Sequence, residues 1–173
     1  ALDGPDGCGK TAQAQALVQW LQAAGRTVQH VREPGSTPVG EALRQLLLSP
    51  ATGELQPISE ALLFAAARAE LVAGKVAPAL REGAVVVSER CYLSTVVYQG
   101  LAFAGGPGIA LPTDWLFDLA RRVHGACVPD QVLVLDVPFE VSLARRQSRA
   151  EDRIEGRGRD YHERVRRGYL EAA

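Results

Sequence analysis

The sequence predicts an α/β fold in which a central parallel sheet lies between layers of helices, and three observations predict it. Strand-like apolar runs alternate with helical stripes through the whole length, which calls for a parallel sheet with right-handed crossovers. Ala84-Val85-Val86-Val87 and Val132-Leu133-Val134-Leu135-Asp136-Val137 are nearly continuous apolar runs, as expected for strands covered on both faces. Gly4-Pro5-Asp6-Gly7-Cys8-Gly9-Lys10-Thr11 fits the P-loop spacing G-x-x-x-x-G-K-[ST] without mismatch. Together they specify a P-loop NTPase-type three-layer fold.

Ala1-Leu2-Asp3 reads as the end of a buried strand, and Ala14, Leu17, Val18 and Leu21 form the stripe of a helix that runs from the loop to about Ala24 and stops at Gly25. Thr27 to Val31 is a short second strand, followed by the punctuated loop Arg32-Glu33-Pro34-Gly35-Ser36. Pro38 sits at the start of an amphipathic helix that carries Val39, Leu43, Leu46 and Leu47 to about Leu48. After a connection over Pro50 to Pro57, Ser59 is placed to cap a long helix that closes at Gly83. The strand Ala84 to Val87 leads into a helix bearing Tyr92, Val96 and Val97. Three glycines and two prolines make Ala104 to Pro112 a mobile loop. Trp115, Leu116, Leu119, Ala120 and Val123 repeat at helical spacing before the strand Val132 to Val137. A helix from about Phe139 and a last one bearing Tyr161, Val165 and Tyr169 complete the order. No repeat or linker divides the chain, so residues 1–173 are expected to be a single domain with a lid over about 145–159.

Composition narrows the partners. At 173 residues, with 47% apolar and 23% charged side chains, one soluble core is expected. A net charge of −1 argues against nucleic acid and against an anionic membrane as partners. No apolar run approaches the roughly 20 residues that span a bilayer. Cys8, Cys91 and Cys127 have no zinc spacing, so a reduced, cytoplasmic setting is expected. The absence of methionine and the brevity of the first strand suggest that the natural N-terminus lies further upstream.

The chemistry follows from residue types. Glycines let the loop amides converge on phosphate oxygens, and the following helix aims its positive end at the same point. Lys10, one of only two lysines among nineteen basic residues, would reach β- and γ-phosphates, and the Thr11 hydroxyl would bind Mg²⁺. Asp6, inside the loop, reads as a ligand for Mg²⁺-linked water or for a substrate sugar, with a solvated loop aspartate as the plainer reading. Glu89-Arg90 ends a strand, where arginine can grip a phosphate in bidentate fashion or the two can form a structural ion pair. Phe64 and Arg68 share a helical face that suits a flat heterocycle, or alternatively packs in the core. Arg145, Arg146, Arg149, Arg153, Arg157 and Arg159 are expected to be too dense to be buried at rest. They form either a solvated basic face or a lid that closes over transferring phosphates. His30, His124 and His162 show no catalytic or metal spacing.

Taken together, these motifs resemble the thymidylate kinase family over essentially the whole chain. The matching segments are Asp3 to Thr11, Arg32-Glu33-Pro34-Gly35, Phe64-Ala65-Ala66-Ala67-Arg68, Glu89-Arg90-Cys91 with Ser94-Thr95 and Tyr98-Gln99-Gly100, and Asp152-Arg153-Ile154-Glu155. The resemblance implies a five-stranded sheet, ATP and Mg²⁺, a homodimer, and transfer of the γ-phosphoryl group to dTMP. It implies that Phe64 stacks on thymine and that Arg68, Ser94 and Thr95 read its edges, with Gln99 in the same substrate site. By the same pattern Tyr98 crowds the sugar where a ribose 2′-OH would lie, favouring deoxynucleotides, Arg32 and Arg90 hold the monophosphate, and Asp6 lies near the acceptor's sugar and phosphate. Lys10, Asp6, Arg90 and Arg153 become the catalytic set, with Thr11 and Glu89 toward the metal. Gly7 stands where eukaryotic-type members carry arginine, which matches the bacterial subgroup whose catalytic arginines lie in the lid. There are departures: Glu89-Arg90-Cys91 stands for Asp-Arg-Tyr, Asp3 for glutamate, the loop Ala102 to Gly108 is longer, and the last strand expected after Leu170 is missing. The rival expectations are a deoxynucleoside kinase with Glu89 as base, and a nucleotide switch that hydrolyses ATP slowly.

Overall fold

The computed structural model describes residues 1–103, 110–146 and 150–173. Strands β1 (Leu2–Asp3), β2 (Val28–Arg32), β3 (Val85–Glu89) and β4 (Leu133–Val134) form a parallel sheet in the order β2-β3-β1-β4. Helix α1 (Lys10–Ala23) springs directly from the glycine-rich loop, and Leu17, Val18 and Leu21 cover Leu2 and Val87 on one face of the sheet. On the other face Cys91, Val97, Tyr98, Val165 and Tyr169 form a second core over Ala1, Val132 and Val134. Successive residues of a strand point to opposite faces, so Leu2 enters the first core and Asp3 the second.

Helix α2 (Pro38–Leu48) begins at Thr37, whose side chain accepts from the Gly40 amide at 3.0 Å. Helix α3 (Pro57–Leu71) corrects the expectation for Ser59: its N-cap is Gln56 with no side-chain cap bond, and Pro57 occupies the first turn, where its fixed φ already suits a helix. A π-helical turn, Val72–Val76, carries α3 into α4 (Ala77–Arg81). A second one, Val96–Gly100, follows α5 (Tyr92–Thr95) and leads to the 3₁₀ turn Leu101–Phe103. Beyond lie α6 (Thr113–His124), α7 (Phe139–Arg146) and α8 (Arg159–Ala172).

Two further expectations are corrected. The run Val132 to Val137 is not a long buried strand: β4 has two residues, Leu133 is 53% exposed, and β4 forms one edge of the described sheet. Its length is set by its partner. Leu133 and Leu135 donate to Ala1 and Asp3 across the ladder, and β1 then turns away into the loop at Gly4. Nor is the arginine-rich segment free of burial, because Arg146 is 2% exposed and the Arg153 side chain 7%. Residues 104–109 of the expected mobile loop, and Arg149 of the expected lid, lie outside the described residues.

Candidate active site

The loop from Gly4 to Gly9 is shaped by close backbone approach. Gly4 has φ +137°, and a Cβ there would meet the Leu135 carbonyl oxygen at 2.3 Å; Gly7 has φ +75°, and a Cβ there would meet the Ser142 carbonyl oxygen at 2.7 Å. Helix α7 therefore packs directly on the loop, with Ser142 Oγ donating to the Asp6 carbonyl and Arg145 Nη1 donating to the Gly7 carbonyl at 3.1 Å. Lys10 Nζ is curled inside, donating to the carbonyls of Gly4 at 3.0 Å and Pro5 at 2.7 Å, with Cys8 Sγ at 3.6 Å. Burial lowers the Lys10 ammonium and Arg90 pushes it further down, while Asp6 opposes.

Beside this loop lies an open cleft with about 560 Å³ of empty space, part of it continuous with solvent. Asp6, Arg44 and Arg90 line it together with Phe64, and Ser94, Thr95, Tyr98 and Gln99 supply polar groups from the α5 segment. Pro34, Leu48, Asp152, Ile154 and Glu155 complete the wall. The sequence-predicted set Asp6, Phe64, Arg90, Ser94, Thr95, Tyr98 and Gln99 thus meets around one space. Arg32 and Arg68 are not among its lining residues. The Arg32 side chain is 47% exposed and pairs with Glu41 at 3.0 Å. Arg68 is buried and committed to Glu33 at 2.6 Å, the Cys91 carbonyl at 3.1 Å and Thr95 Oγ1 at 3.1 Å. It therefore reaches the cavity only through Thr95.

Arg90 has a backbone φ of 71°, unusual for a side chain of its size, and this turns the guanidinium back over the loop. It donates to Asp6 Oδ1, to Ser94 Oγ at 2.9 Å and to the Gly4 carbonyl at 3.3 Å, and it lies 5.3 Å from the Tyr98 ring centre. Tyr98 in turn donates its hydroxyl to Asp6 Oδ2 at 2.8 Å. Burial alone would raise the Asp6 carboxyl, but Arg90 and then Lys10 outweigh it and hold the group below the usual carboxylate range. Burial, reinforced by Asp6, pushes the Tyr98 hydroxyl well up. Asp6 is ionised in the site, and Tyr98 is its neutral donor.

Arg44, which the sequence did not single out, and Asp3, noted there only as a departure from the family's glutamate, complete this geometry. Arg44 donates to the Pro34 carbonyl at 3.1 Å and adds a second cation to the cavity wall, a place that depends on how α2 packs against the Pro34 loop. Asp3, fully buried, accepts from the amides of Gly4 at 2.9 Å, Cys91 at 3.0 Å and Ser94 at 3.1 Å, and from the hydroxyls of Ser94 at 2.7 Å and Tyr169 at 2.6 Å. It ties the start of the loop to the segment that carries Arg90 and Ser94. Thr11 Oγ1 donates to Glu89 Oε2, and Glu89 Oε1 lies 3.0 Å from His30 Nε2. A hydroxyl beside a carboxylate at the start of α1 is an oxygen donor set that fits a hard cation such as Mg²⁺. Among the described residues no group of three His, Cys, Asp or Glu forms a cation site by itself.

On the expected lid, Arg153 donates to Glu60 Oε1 at 2.6 Å and to the Leu47 carbonyl at 2.8 Å, and Arg157 donates to the same Glu60 oxygen. One buried carboxylate accounts for the burial of both arginines. Among the described residues, Nε and Nη1 of Arg146 and Nη2 of Arg153 are buried without a hydrogen-bond partner.

The thymidylate kinase family model matches residues 2–173. Thymidylate kinases from Symbiobacterium thermophilum and Pelotomaculum thermopropionicum are each 45% identical to this chain, over 173 and 174 residues. The alignments cover 100% and 99% of this chain and 78% of each relative. The enzyme from Thermomicrobium roseum is 44% identical over 175 residues, covering 99% of this chain and 79% of its own. With a P-loop on a parallel sheet, an arginine-lined cavity beside it and a match that runs the length of the sequence, the chain belongs to the thymidylate kinase family.

Proposed function

We propose that the protein transfers the γ-phosphoryl group of ATP to dTMP, giving dTDP. The observation that carries this reading is the cavity beside the P-loop: Arg44 and Arg90 give it a cationic lining next to Lys10, while Phe64, Ser94, Thr95 and Gln99 offer an aromatic surface and polar groups suited to a base. The two guanidinium groups on the cavity wall, Arg44 and Arg90, support an anionic occupant. Family membership supports the choice of dTMP.

In this reading the loop amides of Gly4 to Gly9 and Lys10 hold the ATP phosphates, and Lys10 leaves the loop carbonyls to do so. Thr11 and Glu89 would hold Mg²⁺, which neutralises phosphate charge when bound. Arg90 and Arg44 grip the acceptor phosphate, and Asp6 keeps Arg90 aimed across the junction. Phe64 stacks on the base, with Ser94, Thr95 and Gln99 at its edge, and Tyr98 crowds the sugar where a 2′-OH would lie. Arg68 acts through Thr95, while Arg32 braces the Pro34 loop from outside. Arg153 closes over the transferring group as part of a lid, approximately 145–159, in a single domain. Positioning and electrostatics suffice, because no covalent enzyme intermediate is required.

Among the described residues no helix is long and apolar enough to cross a membrane. We place the enzyme in the cytoplasm, a reading supported by three free cysteines. We also infer a homodimer. Val39 and Leu46 stand seven apart on α2, Ile58 and Leu62 four apart on the adjoining α3, and all four are exposed.

A coupled assay over dTMP, UMP, thymidine and no acceptor tests the activity. Turnover is expected with dTMP well above the rest. Comparable turnover of thymidine would favour a nucleoside kinase, and acceptor-independent hydrolysis would favour a switch.

A further inference from the structure

Glu60 lies on α3 with no exposed surface, outside the ring of residues that line the cavity, and it joins three donors from two distant segments. Its Oε1 takes Arg153 Nη1 at 2.6 Å and Arg157 Nη2; its Oε2 takes Gln99 Nε2 at 3.0 Å. Arg157 is further braced through Tyr161, whose hydroxyl accepts from Arg157 Nη1 at 2.8 Å and donates to the Tyr98 carbonyl at 2.9 Å. Gln99 does line the cavity.

An amide can present either a carbonyl or an NH₂, and the two ends differ only in hydrogen bonding. A carboxylate that already takes two guanidinium donors offers Gln99 only acceptor oxygens, so the amide turns its NH₂ toward Glu60. The end left for the cavity is Oε1, an acceptor. We propose that Glu60 is a positioning residue for base selection: by fixing the polarity of the Gln99 amide, it makes the site prefer a pyrimidine whose ring edge carries an N–H, such as thymine or uracil, over cytosine, whose corresponding ring nitrogen is an acceptor. Arg153 and Arg157 are the clamp that holds Glu60 in place, so the lid segment takes part in choosing the base. The inference rests on the dTMP reading and names the group that sets its selectivity.

The test is Glu60→Gln, which keeps the shape but lets residue 60 donate or accept, so that Gln99 is free to turn over. The readout is the ratio of kcat/KM for dTMP to that for dCMP in one preparation, a ratio that the folded fraction does not affect. It is expected to fall at least about tenfold, while the ratio of dTMP to dUMP, both with a ring N–H, stays unchanged. Glu60→Asp retains an obligate acceptor and is expected to keep the preference for dTMP over dCMP even where kcat drops. The double variant Glu60→Gln, Gln99→Glu again presents an acceptor to the cavity and is expected to restore much of the ratio. Should Glu60→Gln turn over neither nucleotide, calorimetric affinities for dTMP and dCMP carry the same expectation. An unchanged dTMP to dCMP ratio in Glu60→Gln, or equal losses in the Gln and Asp variants, overturns the inference. A wild-type protein without preference for dTMP would instead overturn the function on which it rests.

Discussion

Three side chains from distant parts of the chain meet at Asp6: its own carboxylate, the Arg90 guanidinium and the Tyr98 hydroxyl at 2.8 Å. Asp6 and Arg90 were legible in the sequence because both flank strand ends, where ligands of α/β sheets gather. Asp3 was not legible as a hub, since nothing local reveals that six donors from Gly4, Cys91, Ser94 and Tyr169 converge on it. Replacing Asp3 with Asn should lower unfolding free energy by about 2–3 kcal/mol, because a charged acceptor of several buried donors becomes neutral. Urea titration checks this, and a loss below about 0.5 kcal/mol would mean that the network is dispensable. Arg44 was hidden for a similar reason: its usefulness depends on how α2 sits against Pro34. Arg44→Ala should raise KM for dTMP about tenfold or more with kcat less affected, as expected for a group that binds ground and transition states alike.

At the scale of elements, the P-loop, α1, α2 and β3 were readable because their signals are local: glycine spacing, Pro38 at a helix start, and a β-branched run. β4 and the lid were not. The length of β4 depends on the two-residue partner β1, and the burial of the lid arginines depends on Glu60, more than ninety residues away in sequence from Arg153. Charge density alone suggests exposure, yet one buried carboxylate overturns that expectation. Arg153 now has two places to act, on Glu60 and on the transferring phosphate. Arg153→Ala should reduce kcat by about a hundredfold or more, with a much smaller change in dTMP affinity because Arg157 still holds Glu60. A change confined to KM would show that Arg153 only braces the acceptor wall.

The whole molecule should respond to pH and to association. Burial is the first cause that lowers the pKa values of His124 and His162, so the folded state resists protonating them. Below the unfolded histidine value near 6.5, the unfolded chain binds more protons, and stability falls as pH drops from about 7.5 to 5.5. Replacing both histidines with Gln should flatten this slope in denaturant titrations; an equal slope in wild type and variant would assign it to other groups. Asp6 acts in a lower window: its depressed carboxyl stabilises the fold above about pH 4, and that contribution is lost on further acidification. Leu62→Glu places a charge on the apolar faces of α2 and α3 and should shift sedimentation from dimer to monomer. Two nucleotides meeting phosphate to phosphate between the P-loop and the Arg90 cavity is the claim on which the rest depends. Calorimetry with adenosine and thymidine joined 5′ to 5′ through a polyphosphate chain tests it most directly. The linked ligand should bind about a hundredfold or more tighter than ATP or dTMP alone; an affinity no better than that of its tighter half would contradict it.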